Sequence, residues 1–361
     1  MGEVKRGYVR PLDVKNGRID MSHGSGGKAM AQLIEELFAR AFNNELLAQG
    51  NDGTVLPALQ AGERLVMATD SHVVSPLFFK GGDIGCLSVH GTVNDVAVMG
   101  ARPLYLAAGF ILEEGFPLSE LKKVVDSMAA AAREAGVPIV TGDTKVVEQG
   151  KGDGVFITTT GVGALPAGRD LGGANARPGD VVIVSGSIGD HGTAIMSQRE
   201  SLAFDTEIES DTACLHNLIE TMLAAVPSTS EVGNAARGIR VIRDATRGGV
   251  ATTLNEIAKQ SGVGVMLNEK GFVIKPQVDA ACEFLGLDPL YVANEGKIVV
   301  IVAREDADAL LAAMRAHPQG KEASVVGDVL EDPHHFVQMR TGFGGRRIVD
   351  WLSGEQLPRI C

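Results

Sequence analysis

The chain has 361 residues, 45% of them hydrophobic, with 45 glycines and 14 prolines; this is about twice the size of an ordinary domain and predicts two α/β domains. Its formal net charge of -12 disfavours nucleic acid and anionic membranes as partners, and it suits a small-molecule enzyme that binds metal ions. No apolar run is long enough to cross a bilayer and residues 1–20 lack a signal-peptide pattern, so we expect a cytoplasmic protein.

Strand and helix patterns alternate in the first half of the chain. An apolar run that ends in Thr69-Asp70-Ser71 predicts a buried strand over 63–74 that leads into a functional loop. Residues 118–135 place their apolar side chains on one face and are followed by Gly136, which predicts a helix. Further strands are predicted at 104–112, 137–140 and 154–162. We therefore predict a mixed α/β domain over residues 1–168.

Glycines and prolines crowd residues 166–179, which indicates a domain boundary before the apolar run 181–184. The second α/β domain is predicted over 169–335. Its predicted elements are a helix at 246–260, a strand at 297–303, a helix at 307–314 and a strand at 323–329. From 336 to 361 the composition becomes rich in glycine, and four arginines stand against Asp350 and Glu355. We predict a mobile tail over 336–361 that ends in Cys361.

Residues 23–28, with the sequence HGSGGK, precede a helical pattern and are a candidate phosphate-binding loop. Glycines let backbone N–H groups approach an anion, and the start of a helix adds a favourable dipole. The spacing matches neither of the two common nucleotide-binding glycine motifs, and a flexible turn remains the alternative. The candidate phosphate contacts are Gly24, Gly26, Gly27 and Lys28.

Five aspartates lie among apolar neighbours at predicted strand ends or in a helical pattern, and they suggest a site for Mg²⁺ and a nucleotide. Carboxylate oxygens are the ligands that Mg²⁺ prefers, and it usually shares them with substrate phosphates. For any single aspartate the alternative is a helix cap or a turn. Asn94-Asp95 departs from that alternative, because it lies inside the helical run 84–99. The candidate metal ligands are Asp52, Asp70, Asp95, Asp143 and Asp244.

Residues 244–249, with the sequence DATRGG, combine a carboxylate, a hydroxyl, a guanidinium and two glycines before a predicted helix. That combination suits both a metal ion and a phosphate. Lys145 and Glu295 are charged residues in apolar surroundings, and exposed surface positions are the alternative for both.

The four cysteines are widely spaced without a CxxC pair, so we expect free thiols and neither disulfides nor a zinc site. Cys86, Cys214 and Cys282 fall in helical patterns and are interpreted as core residues. Cys361 is the last residue, where a thiol is accessible and nucleophilic as the thiolate. We therefore predict that Cys361 is the reactive cysteine.

Several of these motifs together resemble the HypE family of hydrogenase maturation factors, in the superfamily of aminoimidazole ribonucleotide synthetase and selenophosphate synthetase. They are residues 23–28, 94–103 (NDVAVMGARP), 141–145 (TGDTK), 244–249 and the terminal PRIC at 358–361. The resemblance covers essentially the whole chain, and only the terminal motif is specific to HypE. It implies two mixed α/β domains with ATP and Mg²⁺ between them, and an N-terminal sheet that pairs across a homodimer.

The resemblance also implies the reaction. HypF places a carbamoyl group on the terminal cysteine, HypE dehydrates it to a thiocyanate with ATP, and the HypC–HypD scaffold receives the cyanide ligand for nickel-iron hydrogenase. Cys361, Lys145 and Glu295 would be catalytic, with Lys145 and Glu295 orienting and deprotonating the carboxamide. The implied nucleotide contacts are Gly24, Gly26, Gly27, Lys28, Asp70, Asn94, Asp95, Asp143, Thr246, Arg247 and Gly248.

Two alternatives remain at this point. Another ATP-using enzyme of the superfamily, such as a selenophosphate synthetase, would share the nucleotide site, although its reactive residue usually lies in the N-terminal glycine-rich region. That region contains no cysteine here. The second alternative is a non-enzymatic carrier whose tail presents a modified thiol to its partners.

Overall fold

Two β-sheets organise the described part of the chain, which in this computed structural model comprises residues 11–25, 27–49, 53–199, 208–352 and 359–360. The first half begins with a 3-10 turn, Met21–Gly24, and helix α1, Lys28–Leu33, which continues as a π-helical segment, Ile34–Ala39. A second 3-10 turn, Leu47–Gln49, precedes the first sheet.

The first sheet has the strand order β1-β6-β4-β5, with β1 at Arg64–His72, β4 at Arg102–Glu113, β5 at Ile139–Val147 and β6 at Val155–Leu165. Strands β4 and β5 run parallel, because helix α3, Leu118–Ala135, connects them. Helix α2, Ile84–Val98, follows the small hairpin of β2, Phe78–Phe79, and β3, Gly82–Asp83. Both helices pack their buried side chains against one face of the sheet.

The second sheet has seven strands in the order β13-β12-β9-β11-β7-β10-β8. Its strands are β7, Val181–Val184; β8, Ile239–Asp244; β9, Gly264–Asn268; β10, Ile298–Val302; β11, Ser324–Leu330; β12, Val337–Arg340; and β13, Arg346–Ile348. Its helices are α4, Asp190–Arg199; α5, His216–Ala225; α6, Thr229–Val232; α7, Gly249–Ser261; α8, Pro276–Leu285; and α9, Ala307–Ala316. Short 3-10 turns lie at Glu269–Gly271, Pro289–Tyr291, Arg304–Asp306 and Pro318–Gly320.

Helix α2 joins the two halves. Helices α5 and α9 cover one face of the second sheet and α7 covers the other. Ala97 and Val98, at the end of α2, are buried in the same cluster as α5 and α9. The helix that packs on the first sheet therefore also presents its last turn to the second.

The two helices predicted most clearly in the first half are confirmed. The predicted helix 118–135 coincides with α3, and Gly136 ends it with a φ of 67° in the left-handed region that favours glycine. The helical run 84–99 is α2, which Asp83 caps by accepting from Gly85 and Cys86 N–H. Among the cysteines, Cys282 is buried in α8, whereas Cys214 lies just before α5, outside a helix. No helix in the described ranges is long and apolar enough to span a bilayer.

The prediction that a mobile tail begins at 336 is wrong. Strand β12 pairs in parallel with β9 and β13 pairs with β12, so residues up to 348 belong to the second sheet. Val349 is fully buried. Of the glycines that suggested a tail, Gly342, Gly344 and Gly345 belong to the turn between β12 and β13, where Gly344 has a φ of 88°.

Candidate active site

Four acidic side chains meet where α2 of the first half faces the second sheet, and we call them the carboxylate cluster: Asp70, Asp95, Asp244 and Glu295. Asp70 lies in β1, Asp95 in the last two turns of α2, Asp244 at the end of β8, and Glu295 just before β10. A side-chain hydrogen bond joins Asp95 to Asp244. Each member comes from a different element, and two come from each half of the chain.

The cluster is electrostatically strained. Burial, together with repulsion from Asp244 and Asp70, raises the pKa of Asp95 to about 8. Burial also raises the pKa of Asp244 above its ordinary value. Two buried carboxyls that share a hydrogen bond hold one proton between them, so they titrate as a pair. A cation or a phosphate-bound metal ion would relieve this repulsion.

Glu295 is the most enclosed member of the cluster, with 4% of the residue exposed. Burial, with repulsion from Asp211 and Asp244, raises its pKa well above the ordinary value of a glutamate. Its Oε1 atom is buried and has no hydrogen-bond partner among the described residues. Its backbone N–H donates to Asp211 Oδ1 at 3.0 Å, and Lys297 Nζ donates to Asp211 Oδ2 at 3.1 Å. Glu295 is therefore held by its backbone while one carboxylate oxygen stays available.

Two cationic or titratable groups flank Asp70. Arg247 Nη2 lies 3.8 Å from Asp70 Oδ1 and its side chain is 75% exposed. His72 Nε2 lies 3.5 Å from Asp70 Oδ2, and burial lowers the pKa of this histidine. Gly248 and Gly249, with φ of 75° and 60°, turn the chain between Arg247 and α7. A Cβ on Gly249 would stand 2.4 Å from the Leu290 carbonyl oxygen, so only glycine fits there.

Asn94 is buried, and its amide group joins the two halves. Its Nδ2 donates to the Ala213 carbonyl at 2.9 Å, and its Oδ1 accepts from Leu215 N–H at 2.7 Å. The predicted nucleotide contact at Asn94 does not fit this arrangement, because only 2% of the residue is exposed and both ends of its amide are engaged. Asn94 is a structural link beside the cluster.

Asp143 and Lys145 form a second group, separate from the cluster in this chain. Both lie within β5, an edge strand, so Asp143 is not at a strand end as predicted. Lys145 Nζ lies 2.6 Å from Asp143 Oδ2, and the two side chains are 62% and 61% exposed. Hydrogen bonds from Lys145 lower the pKa of Asp143. Among the described residues, no hydrogen bond or ion pair connects this pair to Glu295.

The glycine-rich segment lies beside that pair. A Cβ on Gly24 would stand 2.7 Å from the Val146 backbone nitrogen, so Gly24 allows the segment to approach β5 closely. His23 is buried and its Nδ1 accepts from Asp20 N–H at 3.1 Å, which fixes the segment as a capped 3-10 turn. Gly27 and Lys28 are exposed at the start of α1. Of the remaining predicted residues, Gly26, Asp52 and Cys361 lie outside the described residues.

The end of the chain returns to the interface between the halves. Ile360 is buried, with 4% exposed, and packs in the core cluster that also contains Ala293. The Ile360 carbonyl oxygen lies 2.8 Å from His191 Nε2. Arg359 Nη1 lies 2.6 Å from Asp153 Oδ2. Gly192, next to His191, donates its N–H to the Ala293 carbonyl at 3.0 Å, so the residue before Cys361 lies near the segment that carries Glu295.

Sequence reasoning missed three residues at this interface: His72, His191 and Asp211. His191 lies in the first turn of α4, within the sequence GDHG at 189–192, and this glycine-flanked acid and histidine could have marked it. Asp211 lies in an irregular segment before α5 and has no local sequence signal. His72 lies two residues after Asp70 on β1, and this spacing places the two side chains on the same face of the strand.

The donor set of the cluster suits Mg²⁺, whose preferred ligands are carboxylate oxygens. Within the part of the chain that the structure describes, no three His, Cys, Asp or Glu side chains are grouped tightly enough to hold a metal ion by themselves. Mg²⁺ commonly binds through one or two carboxylates and completes its coordination with substrate phosphates and water. The residues present fit that mode.

Two family models cover most of the chain. The N-terminal domain of AIR synthase related proteins matches residues 50–165, and the C-terminal domain of the same family matches residues 177–340. Among curated proteins, the carbamoyl dehydratase HypE of Cupriavidus necator is 70% identical over 360 residues, which cover 100% of this chain and 99% of that protein.

Solved structures agree with this likeness. A hydrogenase maturation protein HypE in complex with ATP superposes with a TM-score of 0.88 at 48% identity and covers 94% of this chain and 99% of its own. A HypE chain from a HypE–HypF complex has a TM-score of 0.75 at 50% identity, with 89% and 99% covered.

Proposed function

The chain belongs to the HypE carbamoyl dehydratases of the AIR synthase related family, and from that premise we propose which of its groups perform the reaction. It is an ATP-dependent dehydratase of hydrogenase maturation, and HypF is a partner. The substrate is a carbamoyl group on Cys361. The single observation that supports this assignment is the burial of Ile360, one residue before Cys361, at the interface that holds Glu295.

The chemistry converts a thiocarboxamide into a thiocyanate. The carboxamide oxygen attacks the γ-phosphorus of ATP and releases ADP, and one N–H proton leaves the resulting cation. A base then takes the second N–H proton, and the electron pair of that N–H bond completes the C≡N bond. At the same time the C–O bond breaks, and its electrons leave with the phosphate. The products are the S-cyanate, ADP and phosphate. Phosphorylation is needed because an amide oxygen by itself is a poor leaving group.

Glu295 is the base in this proposal. Its raised pKa makes it a stronger proton acceptor than an exposed glutamate once it is ionised, and its free Oε1 offers the acceptor atom. Asp211, bound to the Glu295 backbone and to Lys297, keeps the segment in place. Lys145, which the family resemblance pairs with Glu295, orients the carboxamide only if it approaches the cluster in the working assembly.

In this proposal Asp70, Asp95 and Asp244 would hold Mg²⁺, with one or two of these carboxylates for each ion, and their mutual repulsion supports this role. When bound, Mg²⁺ draws negative charge from the transferring phosphoryl group. Arg247, exposed beside Asp70, binds a phosphate oxygen of ATP. The roles predicted for Asp52 and Asp143 remain part of the proposal, with Asp143 acting from the β5 edge.

A homodimer would bring the β5 edge of one copy, which carries Asp143 and Lys145, to the carboxylate cluster of the other. The face of the first sheet that does not contact α2 carries exposed apolar side chains: Leu65 is 67% exposed, Met67 73% and Ile111 43%. The register opposes Leu65 to Ala164 and Met67 to Val162, so these side chains share one face. We propose that this face pairs with a second copy, and that the segment 23–28 contacts the nucleotide there.

To deliver the cyano group, the tail that carries Cys361 has to leave the interface between the two halves of the chain, since the HypC–HypD scaffold that receives cyanide is a separate complex. A tail starting after Val349 can move without disturbing the second sheet, because β13 ends at Ile348. The alternatives of a selenophosphate synthetase and of a non-enzymatic carrier do not agree with 70% identity to a carbamoyl dehydratase over the whole chain.

Phosphate release tests the proposal. The HypF-carbamoylated protein should release one phosphate per modified chain in excess over unmodified protein, and Cys361→Ala should show no such excess while it still binds ATP. Equal release with and without the carbamoyl group would overturn the assignment of Cys361.

A further inference from the structure

A buried hydrogen-bond chain ends on the last peptide group before Cys361. Thr212 N–H donates to Ser210 Oγ at 3.1 Å, Ser210 Oγ lies 2.7 Å from His191 Nδ1, and His191 Nε2 lies 2.8 Å from the Ile360 carbonyl oxygen. We propose that His191 is a positioning residue, which holds the Ile360 carbonyl in the peptide link to Cys361 and so restricts where the reactive thiol can go. This inference rests on the proposed function of Cys361.

The chemistry of the donors and acceptors determines the tautomer of His191. A carbonyl oxygen accepts only, so Nε2 must carry the hydrogen that it donates to Ile360. Burial lowers the pKa of His191, which favours the neutral ring. The neutral ring then accepts at Nδ1, and the Ser210 hydroxyl donates to it while accepting from Thr212. Every hydrogen in the chain therefore points towards the end of the polypeptide.

The rigidity of His191 makes it suited to this role. The residue is fully buried, and its ring meets the Phe79 ring edge-on with centroids 5.6 Å apart. Phe79 comes from the first half of the chain and His191 from the second, so the ring is held from both sides. A contact with such a ring fixes the direction of the Ile360 carbonyl.

The preceding carbonyl is held as well. The Arg359 carbonyl oxygen accepts from Ser75 N–H at 3.2 Å and from Arg199 Nη2 at 2.9 Å. The Arg359 side chain pairs with Asp153, and Ile360 fills an apolar site. Two successive carbonyls with fixed partners define the path of the backbone, and Cys361 lies one Cα step of about 3.8 Å further on.

A role in positioning predicts a specific pattern of effects in three variants. His191→Leu removes the donor to Ile360, whereas His191→Gln retains an N–H donor close to the Nε2 position. Ser210→Ala leaves the ring in place but removes the group that selects its tautomer. His90→Leu is the matched control, because His90 Nδ1 also contacts a hydroxyl of the same segment, Thr212 at 3.0 Å, and no tail contact is described for it.

The first readout is alkylation of Cys361 by a bulky maleimide, followed on the C-terminal peptide by mass spectrometry in the full-length protein. Loss of one hydrogen bond should raise this rate roughly two- to tenfold in His191→Leu, and less in Ser210→Ala and His191→Gln. His90→Leu should match the wild type. A wild-type rate in both His191→Leu and Ser210→Ala would overturn the inference, and Ser210→Ala decides alone if His191→Leu does not fold.

The second readout is the single-turnover rate of dehydration on carbamoylated protein at saturating ATP. It should fall in His191→Leu by a similar factor or more, with partial rescue in His191→Gln and an unchanged KM for ATP. A raised KM with an unchanged rate would contradict positioning. If the wild type showed no dehydration, the proposed function would be wrong. The alkylation rate of Cys361 would still test whether His191 positions the end of the chain, because that measurement does not depend on dehydration.

Discussion

The carboxyl groups of Asp95 and Asp244 share a hydrogen bond although Asp95 lies on the helix of the first sheet and Asp244 ends a strand of the second. The contact joins the two halves through a pair that repels when both members are ionised. In the proposed function, Mg-ATP binds there and completes an interface that is unfavourable by itself.

The stability of the protein without nucleotide and metal should depend on Asp95. An aspartate with a pKa of about 8 when folded and about 3.9 when unfolded binds an extra proton in the folded state between these values. Its contribution to stability is therefore present below pH 4 and is lost as the pH rises towards 8. Asp95→Asn keeps a hydrogen bond to Asp244 without the charge. Its melting temperature should exceed the wild-type value by about 3 °C or more at pH 8.5 and by less at pH 5.5.

Calorimetry in EDTA at both pH values measures this difference. Asp126→Asn is a suitable control, since Asp126 is exposed on α3 and pairs with Lys122. A melting temperature for Asp95→Asn below that of the wild type at pH 8.5 would show that the pair is not strained.

Glu295→Gln should abolish dehydration and leave ATP binding nearly intact. The amide cannot accept the proton, and the backbone link to Asp211 is kept. In the wild type the single-turnover rate should rise with pH along an acidic limb whose pKa lies well above that of an ordinary glutamate, because only ionised Glu295 is a base. Rapid-quench analysis of carbamoylated protein across the pH range measures both effects. A limb near the ordinary glutamate pKa would exclude Glu295 as the base.

Arg247→Gln should weaken ATP binding by about tenfold or more, since a charge-assisted hydrogen bond to phosphate is lost. The melting temperature without nucleotide should hardly change, because the side chain is exposed and lies 3.8 Å from Asp70. Isothermal titration with a non-hydrolysable ATP analogue measures the affinity. Arg243→Gln is the matched control, as Arg243 is a neighbouring arginine that instead contacts Gln260. Equal losses in both variants would remove the specific role of Arg247.

Asn94→Ala should destabilise the protein with or without nucleotide, by about 2–4 kcal/mol, because the Ala213 carbonyl and the Leu215 N–H would be left buried without partners. Urea unfolding measures this free energy. If Asn94 instead contacted the nucleotide, stability would be unchanged in the absence of ATP and only affinity would fall.

An amphipathic pattern made α3 predictable, and apolar runs made α2 and β10 predictable. Strands β12 and β13 were not predictable, because short strands joined by a glycine-rich turn gain their stability from pairing with β9 and with each other. At the site, Asp95 was recognisable as a carboxylate inside an apolar helix. Its proximity to Asp244 depends on tertiary packing across 149 residues of chain, from 95 to 244. His191 was missed for a similar reason, since its partner Ile360 lies 169 residues away.

The most direct test is the mass of the C-terminal peptide after the protein has been incubated with HypF, its carbamoyl donor and ATP. Our account predicts a peptide carrying a carbamoyl group on Cys361 that then loses the mass of one water, in step with phosphate release. Glu295→Gln should stop at the carbamoyl stage. A modification that maps to Cys86, Cys214 or Cys282, or a carbamoyl peptide that persists in the wild type despite ATP hydrolysis, would contradict it.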